Sequence, residues 1–137
     1  MNQSENQKAS ALGKHQRSES QGNTSTSDIH FDQRVLFVNN HTIVINKRSG
    51  DIVQGDKTGD TPMAEEIKEY LKEKFNKPGN VFCGVVHRLD RPTTGALVFA
   101  RTSKGLSRLN EQFRDGIPKK VYWAIVEKMP QETTGRL

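Results

Sequence analysis

The stretch Gly84–Ala100, GVVHRLDRPTTGALVFA, decides how the chain is read. Two apolar runs enclose a His, two Arg, a single carboxylate and the breaker series Pro92-Thr93-Thr94-Gly95. The flanking runs, Val81 to Val86 and Ala96 to Ala100, have strand length, and the polar residues between them read as the joining loop. A strand-to-loop junction of this kind can present one carboxylate, Asp90, to a ligand among positive charge.

Outward from that stretch, the same signals recur. Val35-Leu36-Phe37-Val38 and Thr42-Ile43-Val44-Ile45 are β-like runs around Asn39-Asn40-His41, the turn of a hairpin. Thr61-Pro62 reads as the N-cap and first position of a helix, with Glu65 and Glu66 near its positive end. Ile67, Tyr70, Leu71 and Phe75 follow at helical spacing, and Asn76-Lys77-Pro78-Gly79 ends the pattern. Ser103 can cap a second helix with Leu106, Leu109 and Phe113 as its apolar stripe, stopped by Asp115-Gly116-Ile117-Pro118. Val121 to Val126 reads as a last strand. The order β-β-α-β-β-α-β predicts an α+β fold, a mixed and mainly antiparallel sheet with flanking helices.

Composition bounds the function. The 137 residues suffice for one modest domain, and 32% are hydrophobic. Residues 1–30 are rich in Ser, Gln, Asn, Thr and Gly, which predicts a disordered polar tail before a folded part over 31–137. No run approaches membrane-spanning length, and the lone Cys83 rules out a disulfide framework or a multi-cysteine metal site. A cytoplasmic chain is the simplest reading. Residues 84–120 carry eight basic and three acidic side chains, which account for the whole formal charge of +5. Charge concentrated in this way favours a polyanion, nucleic acid above all, although a solvated basic face without a partner has the same composition.

Asp90 lies between Arg88 and Arg91, and neighbouring cations favour its ionised form. An ionised carboxylate can be a nucleophile, a base or a metal ligand. Metal binding is disfavoured by the cations and by the lack of a second acid close by. Hydrolysis of a glycosidic bond ordinarily takes two carboxylates. One suffices for a reaction that needs no separately activated water, such as an isomerisation at that bond. From the spacing alone, a structural Asp, paired with Arg88 or capping the turn before Gly95, is the better account.

The signature His87-Arg88-Leu89-Asp90-Arg91-Pro92-Thr93-Thr94-Gly95 resembles the H-R-L-D-x-x-T-S-G motif of the RluA-type RNA pseudouridine synthases, with Thr94 in place of Ser. Asn46-Lys47 with Gly50 is similar to that family's N-K-P-x-G loop. Ala100-Arg101-Thr102 resembles its A-K-T, and Lys120 to Val126 its K-x-Y-x-A-x-V strand. The likeness runs from about Val35 to Val126. It implies isomerisation of uridine to pseudouridine in ribosomal or transfer RNA, with no metal and no small-molecule cofactor. Asp90 would be the catalytic carboxylate, Arg88 would help displace the target nucleotide, and Tyr122 would face the uracil. Arg91, Arg101, Lys104 and Arg108 would contact phosphates. His87 is left to orient the turn or touch the backbone.

Two further departures qualify these expectations. Arg48 stands where the family loop has Pro, which predicts a less rigid, more basic loop. Thr134-Gly135-Arg136-Leu137 only superficially resembles a later T-G-R-x-H-Q-I-R block of the family. The chain therefore reads as the N-terminal portion of the catalytic domain, a truncated form with an exposed sheet edge. A non-catalytic RNA-binding fragment and an interaction protein pairing through that edge are the competing readings.

Overall fold

The computed structural model describes residues 31–136; the predicted polar tail over 1–30 lies outside them. Strand β1 (Val35–Val38) pairs antiparallel with β2 (Thr42–Lys47), as the hairpin pattern predicts. Asn39 holds the turn: its side-chain oxygen accepts from the backbone N–H of His41 at 2.9 Å and of Thr42 at 2.8 Å. Helix α1 (Met63–Lys74) follows, then β3 (Gly84–Val85), β4 (Gly95–Ala100) and α2 (Ser103–Arg114). The sheet order is β1-β2-β4-β3, and every pair is antiparallel.

Alternation sorts the central strands into two faces. Ile43 and Ile45 of β2 stand opposite Phe99 and Leu97 of β4, and all four are fully buried. Met63, Ile67, Tyr70 and Leu71 of α1 join them in one core, at helical spacing. Each such side chain contributes about 1.5–3 kcal/mol on burial. Helix α2 packs on β3 and β4, against the other face of the sheet. There Leu106 comes so close to Gly84 that a Cβ on Gly84 would meet it at 2.9 Å.

Several expected boundaries move. Pro62, not Thr61, occupies the N-cap of α1, and no side chain caps it. Thr102, not Ser103, caps α2, its hydroxyl accepting from the Gly105 N–H at 3.0 Å. Phe75 falls just beyond α1, 43% exposed, with the Arg101 guanidinium 4.5 Å over its ring. The expected strand over Val81–Val86 contracts to two residues, because His87 takes the next position on β4 with its side chain. The last expected strand does not form: Val121 to Val126 carries no secondary structure, and Trp123 and Ile125 are fully exposed. A strand needs a hydrogen-bonded partner, and no strand among the described residues pairs with this segment.

Candidate active site

The signature begins where β3 ends and runs to the first residue of β4. Gly95 opens β4 at φ 130°, a conformation rarely adopted by side-chain-bearing residues, which explains a glycine at the end of the motif. Between these ends the loop is held from beneath by Lys47. That residue continues the inward face of Ile43 and Ile45, stands opposite Gly95, and is fully buried. Its ammonium donates to the carbonyls of Asp90 at 3.1 Å, Arg91 at 2.9 Å and Thr93 at 2.8 Å, and to Arg48 at 3.2 Å. Burial lowers the Lys47 pKa, while the Asp51 and Asp90 carboxylates act to raise it. One buried cation thus gathers the backbone at and after the candidate nucleophile and ties it to the Arg48 turn.

His87 braces the loop from the other side. Its Nε2 accepts from the Val98 N–H at 3.1 Å, so the neutral ring carries its proton on Nδ1. The imidazole stacks on Phe113 of α2, with centroids 4.6 Å apart. Burial, and secondarily the charge of Lys120, depresses its pKa below the ordinary histidine value. His87 therefore touches the backbone, one of the two roles open to it from sequence.

The second turn, Arg48–Asp51, is firmer than the missing proline suggests. The Asp51 carboxylate accepts from the Arg48 N–H at 2.7 Å and pairs with the largely buried Arg34 guanidinium, which lies 3.6 Å from Glu66. A side-chain network does there what ring rigidity does elsewhere.

Two cavities flank the signature loop. A groove of about 620 Å³ runs between Asp51–Asp56 and Arg88–Arg91 and contains Asp90. Asp90 is exposed, and its carboxylate has no hydrogen-bond or ion-pair partner among the described residues. The Arg88–Asp90 pair of the competing, structural reading is absent: Arg88 instead reaches Gln54 Oε1 at 3.5 Å. A cleft of about 750 Å³ lies beyond the loop, walled by His87, Thr93–Gly95, Phe113 and the 118–123 segment. Tyr122 stands in this cleft, 62% exposed, so it and Asp90 line different cavities.

The four expected phosphate contacts divide. Lys104 and Arg108 lie exposed on α2 without ion pairs among the described residues. Arg101 is half-buried over Phe75 and bonds the Asn39 carbonyl, which commits it to the hairpin turn. Arg91 is paired with Asp60 at 2.6 Å and approaches Asp56 at 4.0 Å. Lys47 was given no role from sequence, yet its signal was available: a lysine in phase with Ile43 and Ile45 points into the core and needs buried acceptors. The loop acids Asp56 and Asp60 carry no comparable signal. No group of three or more His, Cys, Asp or Glu able to hold a metal occurs among the described residues, and no helix there is long and apolar enough to cross a membrane.

Comparison with known proteins follows the same residues. The family model described as RNA pseudouridylate synthase matches residues 41–137. An uncharacterized RNA pseudouridine synthase of Zymomonas mobilis is 37% identical over 103 residues, covering 75% of this chain and 45% of that protein. The dual-specificity RNA pseudouridine synthase RluA of Haemophilus influenzae is 38% identical over 93 residues, 67% of this chain and 39% of the relative. Ribosomal large subunit pseudouridine synthase C of Buchnera aphidicola is 37% identical over 93 residues, 68% and 28% of the two chains. The chain thus spans less than half the length of these relatives. The solved structure of human RNA pseudouridylate synthase domain containing 4 superimposes with TM-score 0.55 at 24% identity, over 65% of this chain and 32% of that one, a likeness of fold.

Proposed function

This chain belongs to the RNA pseudouridylate synthase family, of the RluA type, and on that premise we propose that it isomerises uridine to pseudouridine in RNA with Asp90 as nucleophile. The observation that carries the reading is the unpartnered Asp90 carboxylate, held in an open groove by a backbone that Lys47 pins at three carbonyls of the signature loop. A carboxylate already engaged by an arginine would have to break that pair before reacting; this one does not. Its attack on the nucleoside releases the uracil, which retains the bonding electron pair. The base turns and rejoins the sugar through carbon 5, restoring the carboxylate. The proton on carbon 5 leaves and the freed ring nitrogen gains one, so the composition of the RNA is unchanged. No water is consumed, which is why a single carboxylate is enough.

Arg88, exposed beside Asp90 and held among the described residues only by Gln54, is free to enter the space of a displaced nucleotide. Lys104 and Arg108 supply phosphate contacts from α2. Tyr122 is the residue the family likeness sets against the uracil; a base touching both it and Asp90 must bridge the two cavities or draw the 118–123 segment across. We take the substrate to be ribosomal or transfer RNA, and the setting to be the cytoplasm. The separation of Tyr122 from Asp90 favours a second reading, an RNA-binding fragment without a completed site.

Tritium release from unmodified RNA labelled at uracil carbon 5 tests both. Release by this chain that vanishes in Asp90→Asn supports the isomerase. Equal release by the variant sinks Asp90 as nucleophile. Salt-sensitive RNA binding with no release by either protein supports the second reading.

A further inference from the structure

Asp90 shares its groove with a loop of opposite charge to the arginines it faces. Arg91 Nη2 donates to Asp60 Oδ2 at 2.6 Å, and Nη1 lies 4.0 Å from Asp56 Oδ2. On the other side of Asp90, Arg88 is held by Gln54 of the same loop. Thr58 fixes the two acids relative to each other. Its N–H donates to Asp56 Oδ1 at 2.8 Å, and its hydroxyl bonds that oxygen while lying 3.1 Å from Asp60 Oδ2. One guanidinium therefore faces carboxylate oxygens from two residues, tied together by a third.

These pairs are not needed to hold the fold. The side chains of Arg91, Asp56 and Asp60 are 47%, 42% and 52% exposed, so water and salt screen their attraction. The base of the loop is fixed by other means: Ile52 and Val53 are buried, and the Ile52 carbonyl accepts from the Met63 N–H at 2.8 Å. The Arg91 backbone is fixed too, its carbonyl accepting from Lys47 and from the Gly50 N–H. What remains free to exchange is the outer loop, Gln54–Asp60, and the Arg91 side chain.

We propose that Asp56 and Asp60 form a phosphate-mimicking latch: in the free protein they occupy on Arg91 the place of an RNA phosphate, and incoming RNA displaces Gln54–Asp60 from the groove that holds Asp90. The inference rests on RNA as the partner. A guanidinium presents the same fork of N–H donors to carboxylate and to phosphate, so one anion replaces the other without loss of hydrogen bonds. The exchange also separates the outer loop from Arg88, by removing the ion pairs that keep Gln54 near it. The latch lowers affinity for RNA in general, and it opens the groove only where a phosphate reaches Arg91.

A double-mutant cycle tests this with labelled, unmodified single-stranded RNA containing uridine, at one fixed salt concentration. The four proteins are this chain, Asp56→Asn with Asp60→Asn, Arg91→Gln, and all three substitutions together; every altered side chain is exposed. The acid substitutions are expected to tighten binding about three- to tenfold when Arg91 is present, and by less than about twofold when it is Gln. Equal tightening in both backgrounds would show a general charge effect, overturning the latch while leaving RNA as the partner. If none of the four proteins binds RNA, the RNA reading of the groove fails and the latch with it.

Discussion

Lys47 and His87 organise the signature loop by opposite means. Lys47 is a buried cation that serves carbonyl oxygens; His87 is a half-buried neutral ring that serves one N–H. The second is open to proton competition. Protonated Nε2 cannot accept from Val98, and the Lys120 charge opposes a second positive charge nearby. The folded ring therefore titrates below its ordinary value of 6.5, and its contribution to stability is fully present above that pH. As the pH falls further, the unfolded chain binds a proton that the folded chain resists, so stability declines until the lowered folded value is reached. His87→Gln keeps an acceptor and removes the titration. The urea midpoint should fall less in this variant than in the parent between about pH 7.5 and about pH 5.5. Equal falls would mean that other groups carry the acid sensitivity.

At the scale of elements, the start of α2 is fitted to the hairpin turn. Gly105 is buried there, and an added Cβ would lie 2.9 Å from the His41 carbonyl oxygen and 3.0 Å from the Thr102 hydroxyl. Both atoms are already engaged: the carbonyl accepts from the Arg101 N–H at 2.8 Å, and the hydroxyl caps the helix. Alanine is the better helix former by about 1 kcal/mol. The clash with backbone and the strained cap should outweigh that gain, since overpacking costs about 1–3 kcal/mol and a lost cap about 1 kcal/mol. Gly105→Ala is thus expected to lose about 1–2 kcal/mol in denaturant unfolding. A variant more stable than the parent would show that the turn yields and that glycine is not required.

For the whole molecule, the notable surface is apolar. Val121, Trp123, Ile125 and Met129 are 71%, 96%, 105% and 92% exposed, on a stretch without secondary structure. At one edge of the sheet, Leu36 and Phe37 of β1 are also more than half exposed, beside an irregularity in register. Water disfavours so much uncovered apolar area, and unpaired strand-like residues offer both side chains and backbone to a partner. The chain should self-associate as its concentration rises, and Trp123→Lys with Ile125→Lys should suppress this, as read by light scattering. Association undiminished in the double variant would transfer the contact to the β1 edge.

Features that depend on neighbours along the chain can be read directly from the residues. The hairpin around Asn39, the apolar stripe of α1 and the stop at Asp115-Gly116 were legible, because turn chemistry and periodicity act within a few residues; Asp90 was singled out as nucleophile only by the family resemblance of its motif. Features that depend on distant partners emerge with the folded arrangement. It turned Lys47 under the signature loop, seated His87 on β4, and gave Arg91 to Asp60 and Arg101 to the hairpin turn. It also left Val121 to Val126 unpaired despite an apolar, β-branched composition that suits a strand. A helix closes its hydrogen bonds within itself, whereas a strand, an ion pair and a buried charge each require a second segment whose position no local pattern specifies.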